Sequence, residues 1–236
     1  EKTKTYKKDT LQESMGPFLS SKTTEYSKMS RSGYSQRKTK TRRPYQILVI
    51  VCEGEETERT YFSNYREKKS GLKIETPNSS VTDPVSLTKF AQRQIERYGL
   101  ELDEGDKIWC VFDADHHSNE EIQQAKQLAN ETINLCLSNP SFELWYLLHF
   151  EYHNTPLDNR ELIHKLETKI PHYKKNENYF SQLLKKRANA TRNAKKLEET
   201  HNRNGIEILS KESNPSTKVF ELVDYILKTI RKNSTR

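Results

Sequence analysis

Two stretches of uninterrupted apolar sequence, each cut off by carboxylates, constrain this chain's fold more than any other feature. Ile47-Leu48-Val49-Ile50-Val51-Cys52 runs into Glu53-Gly54-Glu55-Glu56, and Ile108-Trp109-Cys110-Val111-Phe112 runs into Asp113-Ala114-Asp115. Short β-branched runs without polar alternation are strands buried on both faces, which calls for a parallel sheet with helices above and below it. In such a sheet ligands collect outside the carboxyl ends of the strands, which is where both runs deliver their acids.

The rest of the chain supplies the alternating helices. Thr57 is expected to cap a helix carrying Glu58, Tyr61, Phe62 and Tyr65. A short strand at 72–76 precedes an amphipathic helix at 84–98, with Asp83 as its cap, Pro84 in its first turn and Gly99 as its stop. Ser118 opens a helix to about residue 130, a third core strand is expected at 132–137, and Glu143 to Phe150 reads as a strongly apolar helix. This β-α-β-α-β-α-β-α order predicts an α/β fold: a mostly parallel sheet flanked by helices. Beyond it lie helical, basic sequence, a short apolar stretch at 206–209 read as a last strand, and a final helix after Asn214-Pro215-Ser216-Thr217. The expected organisation is a flexible basic arm (1–44), an α/β core that carries both acidic strand ends (45–154), a basic helical subdomain inserted at 155–205, and a C-terminal strand and helix packing on the core (206–236).

Glu53, Asp113 and Asp115 are the principal candidate site. Positions i and i+2 at a strand end project to one side, so both aspartates are expected to face one hard cation. Gly54 allows a close approach that a Cβ would hinder, and Glu58, one helical turn on, can point back to the same opening as an outer ligand. Glu55 and Glu56 read instead as a solvated acidic helix start, which suits the helix dipole. His116-His117 either bind a transition metal or face solvent, with solvent favoured, and His149 reads as a core histidine before a catalyst.

The chain resembles the Toprim superfamily, which includes primases, topoisomerases and OLD-type nucleases, in its Glu after one core strand and Asp-x-Asp after a later one. The resemblance extends to the RloB-like family associated with phage-defence loci. It is carried by Val51-Cys52-Glu53-Gly54-Glu55-Glu56-Thr57-Glu58 with Tyr61-Phe62, by Phe112-Asp113-Ala114-Asp115, and by Ser138-Asn139-Pro140-Ser141-Phe142-Glu143-Leu144-Trp145. What it implies is a Toprim-like core with a Mg²⁺- or Mn²⁺-supported nuclease site acting in antiphage defence. Glu53 would be a ligand or general acid/base, Asp113 and Asp115 metal ligands, and Glu143 either a ligand to a second cation or only a helix-end anchor. A non-cleaving binding or sensor subunit of a defence complex is the competing expectation.

Charge is unevenly spread. Residues 1–44 carry twelve Lys/Arg against four Asp/Glu, and residues 164–203 carry eleven against four, although the whole chain is only +7. Lys174, Lys175, Lys185, Lys186, Arg187, Arg192, Lys195 and Lys196 are therefore the candidate contacts to DNA or RNA, with Tyr173, Tyr179 and Phe180 available to stack bases. The plainer reading of such charge is a solvated helix face. Other expected partners are a regulatory protein from a defence locus and further copies of the chain. A mean hydropathy of −1.00, the lack of a membrane-length apolar run, of an apolar leader and of any CxxC, and cysteines placed inside apolar runs predict buried thiols in a reducing cytoplasm.

Overall fold

The computed structural model describes residues 43–54, 56–67 and 70–234. The arm expected at 1–44 lies almost wholly outside them, as does Glu55. These described residues form one compact unit.

Both apolar runs are strands, β1 (Gln46–Cys52) and β3 (Lys107–Asp113), joined by β2 (Leu72–Glu75), β4 (Asn134–Asn139) and β5 (Ser216–Thr217) into one sheet of order β2-β1-β3-β4-β5. The first four pair in parallel, and β5 pairs antiparallel with the end of β4. Helices α1 (Thr57–Ser63), α2 (Pro84–Tyr98), α3 (Asn119–Ala129) and α4 (Glu143–Leu148) alternate with the strands. Then come α5 (Asn159–Lys169), α6 (Phe180–Leu184) and α7 (Arg187–Arg203), and α8 (Val219–Ser234) closes the chain.

Side chains alternate across the sheet, so each apolar run feeds two cores. Ile47, Val49, Val51, Ile108, Cys110 and Phe112 pack with Leu87 and Ala91 of α2 and Ile122 and Ala125 of α3. Leu48, Ile50, Cys52, Trp109 and Val111 pack with Tyr61, Phe62, Trp145, Leu222 and Val223 on the opposite face. Each wholly buried Leu, Ile or Phe contributes roughly 1.5–3 kcal/mol, which explains why an otherwise hydrophilic chain concentrates its apolar residues here.

Local signals behave as their chemistry requires. Asp83 Oδ1 accepts from Ser86 N at 2.8 Å, and Gly99 ends α2 at φ 57°. Ser118 and Glu121 form a reciprocal capping pair at the start of α3. Two expectations fail. Thr57 is the first helical residue rather than the cap, because its Oγ1 is engaged by Asn176. Residues 206–209 form no strand, and the last sheet position is taken by Ser216–Thr217, where Thr217 and Ser138 hydroxyls meet at 2.8 Å.

Cys52, Cys110 and Cys136 are buried free thiols, and burial pushes the Cys110 thiol up to about 12. Among the described residues no helix is long and apolar enough to cross a membrane.

Candidate active site

Strand order reverses between β1 and β3: the chain leaves β1 for β2 on one side and returns to β3 on the other. That reversal opens a crevice at the strands' carboxyl ends. Cys52 pairs with Val111, so Glu53 and Asp113 emerge at nearly the same level on the two sides of the crevice.

The two-residue period decides which way each acid turns. Glu53 follows the parity of Val49 and Val51, toward the face covered by α2 and α3, and meets His117 just before α3. His117 Nε2 donates to Glu53 Oε1 at 2.7 Å, while Glu53 Oε2 accepts the backbone N–H of Asp113 at 3.2 Å. The hydrogen bond to Glu53 raises the His117 pKa. Solvent was the favoured expectation for both imidazoles; His116 is 85% exposed, whereas His117 is buried at 5%.

Asp113 follows Trp109 and Val111 toward the other face. Its Oδ1 is sealed from solvent and has no hydrogen-bond partner among the described residues. Burial, then the charges of Glu58, Glu143, Asp115 and Glu53 in that order, holds its carboxyl well above the usual range. Five acids thus share one electrostatic neighbourhood, in which Glu58, Glu143 and the Oδ1 of Asp113 are buried.

Glu58 projects from the first turn of α1 and is buried. A Cβ on Gly54 would fall 2.2 Å from Glu58 Oε2, so the missing side chain at Gly54 is what gives the carboxylate room. Burial, reinforced by the nearby charges of Glu143 and Glu53, raises Glu58 to about 7.

Glu143 stands in the first turn of α4 and makes no capping hydrogen bond among the described residues. Its Oε2 accepts from Ser141 Oγ at 2.8 Å, and its Oε1 accepts from the Tyr173 hydroxyl at 3.3 Å and lies 3.5 Å from Lys175 Nζ. Strand β3 ends at Asp113, so the two-residue period does not extend to Asp115. Ala114 N and Asp115 N are instead tied to Pro140 O, and the Asp115 carboxylate takes Asn159 Nδ2 and His116 Nε2.

The loop between α5 and α6 was legible only as basic sequence. Asn176 N donates to Thr57 Oγ1, Asn178 pairs with Asn64, and Tyr173 and Lys175 reach Glu143, so this loop is fastened to α1 and α4. Tyr173 and Tyr179 are both 6% exposed, inside an aromatic cluster with Tyr146. Phe180 packs on Tyr61 and Tyr65. The expectation that Tyr173 and Tyr179 stack bases is therefore overturned, because both rings are buried in the core; Phe180 is only partly buried.

The eight candidate cations separate by position. Lys175 lies at the acids, and Lys174 is 3.9 Å from Glu177. Lys186 sits over Phe150 and Lys196 over Tyr152, each 4.2 Å from the ring centre. Lys195 bonds Asp224 at 3.0 Å, and Lys185, Arg187, Arg192, Lys195 and Lys196 line one hollow. His149 is buried, donates from Nδ1 to Trp145 O at 2.8 Å, and packs edge-on against Trp145.

A hard divalent cation suits a donor set made only of carboxylate oxygens. Asp113, with its orphaned buried oxygen, and the neighbouring Glu58 and Glu143 are the residues that would hold it, with Glu53 and Asp115 at the rim. Among the described residues no three His, Cys, Asp or Glu side chains have converged into a ready-made ligand shell.

No curated protein and no solved structure matches the chain. The family model described as RloB-like protein matches residues 48–226, from β1 into α8 and across every candidate acid, and the chain belongs to that family.

Proposed function

We propose that this protein is a Mg²⁺- or Mn²⁺-dependent nuclease that hydrolyses phosphodiester bonds of DNA or RNA, acting as an antiphage effector. The observation that carries the reading is Asp113: a half-buried carboxylate with one oxygen sealed from solvent and unpartnered among the described residues, in the field of four further acids at a sheet's switch point. Such a cluster repels itself, and a fold keeps it at a cost only when something positive offsets the charge. A divalent cation bound there supplies the charge that draws in a phosphodiester and offsets what its oxygens develop during cleavage.

The protein's own groups divide the remaining work. His117 and the Asp113 N–H fix the Glu53 carboxylate at the rim, where it can take up or return a proton. Ser141 and Tyr173 orient Glu143. Lys175, held at the acids yet 59% exposed at its side chain, is the cation best placed to meet an incoming phosphate. The Toprim-like relation and the defence role rest on the sequence resemblance.

A second reading is a nucleic-acid sensor that keeps the site without turnover. It is favoured by the engagement of Glu53 by His117 and of Asp115 by Asn159. Incubating the protein with labelled plasmid, single-stranded DNA and structured RNA, with Mg²⁺, Mn²⁺ or EDTA, separates the two. The nuclease reading expects metal-dependent cleavage that the Asp113→Ala/Asp115→Ala variant lacks. Metal-dependent binding with every probe left intact would favour the sensor.

A further inference from the structure

Helices α7 and α8, with the end of α6, line an open hollow of ≈ 750 Å³. Ala188 and Thr191 of α7, small side chains about one helical turn apart, are among its lining residues. Cations dominate the lining: Lys185 after α6, Arg187, Arg192, Lys195 and Lys196 from α7 and Arg231 from α8, against only Glu199 and Asp224. Asp224 and Lys195 are spent on each other, and the remaining cations still outnumber Glu199.

A solvated charge face would be convex and wholly polar, and this surface is neither. Leu184, at 45% one of two large apolar side chains exposed among the described residues, lies in the hollow together with Leu227. Lys196 is braced over the Tyr152 ring, which limits the freedom it would lose on binding. The opposite face of α7 buries Ala190, Ala194 and Leu197 in the core, and Asn193 Nδ2 bonds Leu148 O at the end of α4. The hollow is thus carried by the same packed unit as Glu143.

We infer that the α7–α8 hollow is a binding site for single-stranded nucleic acid, separate from the acids and resting on nucleic acid as the ligand class proposed above. Its cations take successive phosphates, and Leu184 and Leu227 take the apolar face of an unstacked base or sugar. A duplex turns its bases inward and offers these leucines nothing, so the mixed apolar and basic lining selects a single strand.

The test is fluorescence anisotropy in EDTA, so that binding is read without cleavage, with a short labelled single strand of DNA, the same sequence in RNA, and the DNA duplex. The full-length protein is expected to bind either single strand more tightly than the duplex. Lys185→Ala/Arg192→Ala should weaken single-strand binding at least tenfold and flatten the slope of log affinity against log salt by about 1.4, the value for two lost phosphate contacts. Leu184→Ser should weaken binding without changing that slope. Tighter binding of duplex, an unchanged slope in the double variant, or no binding of any probe would overturn the inference. Circular dichroism of each variant excludes unfolding as the cause of a loss. Binding in EDTA alongside intact probe in Mg²⁺ would uphold this site while refuting the nuclease.

Discussion

Replacing His149 with Phe should remove a defined part of the protein's acid sensitivity. The His149 ring is 1% exposed, and burial lowers its pKa from 6.5 to about 4, with the charges of Arg187 and Lys186 adding to the effect. Because the folded value lies below the unfolded one, the neutral ring's contribution is complete above about pH 6.5 and is lost as pH falls toward 4. The full difference corresponds to about 3 kcal/mol, of which about 2 kcal/mol falls between pH 7.5 and about 5. Phenylalanine preserves the edge-on packing against Trp145, whose ring centre lies 4.9 Å away. Urea unfolding in EDTA at both pH values gives the comparison: wild type should lose about 2 kcal/mol more than His149→Phe over that interval. Equal losses would refute the placement of a neutral buried imidazole.

Glu58→Gln should act with the opposite sign. The Glu58 carboxyl is raised to about 7, so it weakens the metal-free fold as pH rises from 4.5 through 7, and the variant's stability relative to wild type should increase over that range in the same urea experiment. Gly54→Ala places a Cβ on the Glu58 carboxylate and needs no unusual backbone angle. It should reduce Mn²⁺ affinity at least tenfold, measured by calorimetry, while leaving most of the unfolding free energy intact.

The strands that position the site were legible because their burial on both faces leaves no polar alternation, as in Ile47–Cys52 and again before Asp113. Asp83, Gly99 and Ser118 were legible because capping is a local transaction. What stayed hidden depends on distant partners. Thr57 reads as a cap until Asn176 claims its hydroxyl, and the apolar stretch at 206–209 is too short to distinguish from a packed loop. His117 looked solvent-facing because nothing beside it in the sequence reveals that Glu53 turns toward the α3 side. Strand parity contains that signal, since Glu53 continues the series of Val49 and Val51. Tyr173 and Lys175 reach Glu143 through a loop with left-handed residues at His172 and Asn176, a path that no periodicity announces.

Calorimetric titration of Mn²⁺ into the metal-free protein, beside Asp113→Asn, tests the central claim most directly. Asparagine keeps the shape of the side chain, whose sealed Oδ1 has no partner among the described residues, and removes the carboxylate that a cation would need. The account predicts saturable binding to the wild type that is lost or reduced at least tenfold in the variant. Equal binding by both, or none by the wild type, would contradict the assignment of these carboxylates to a cation.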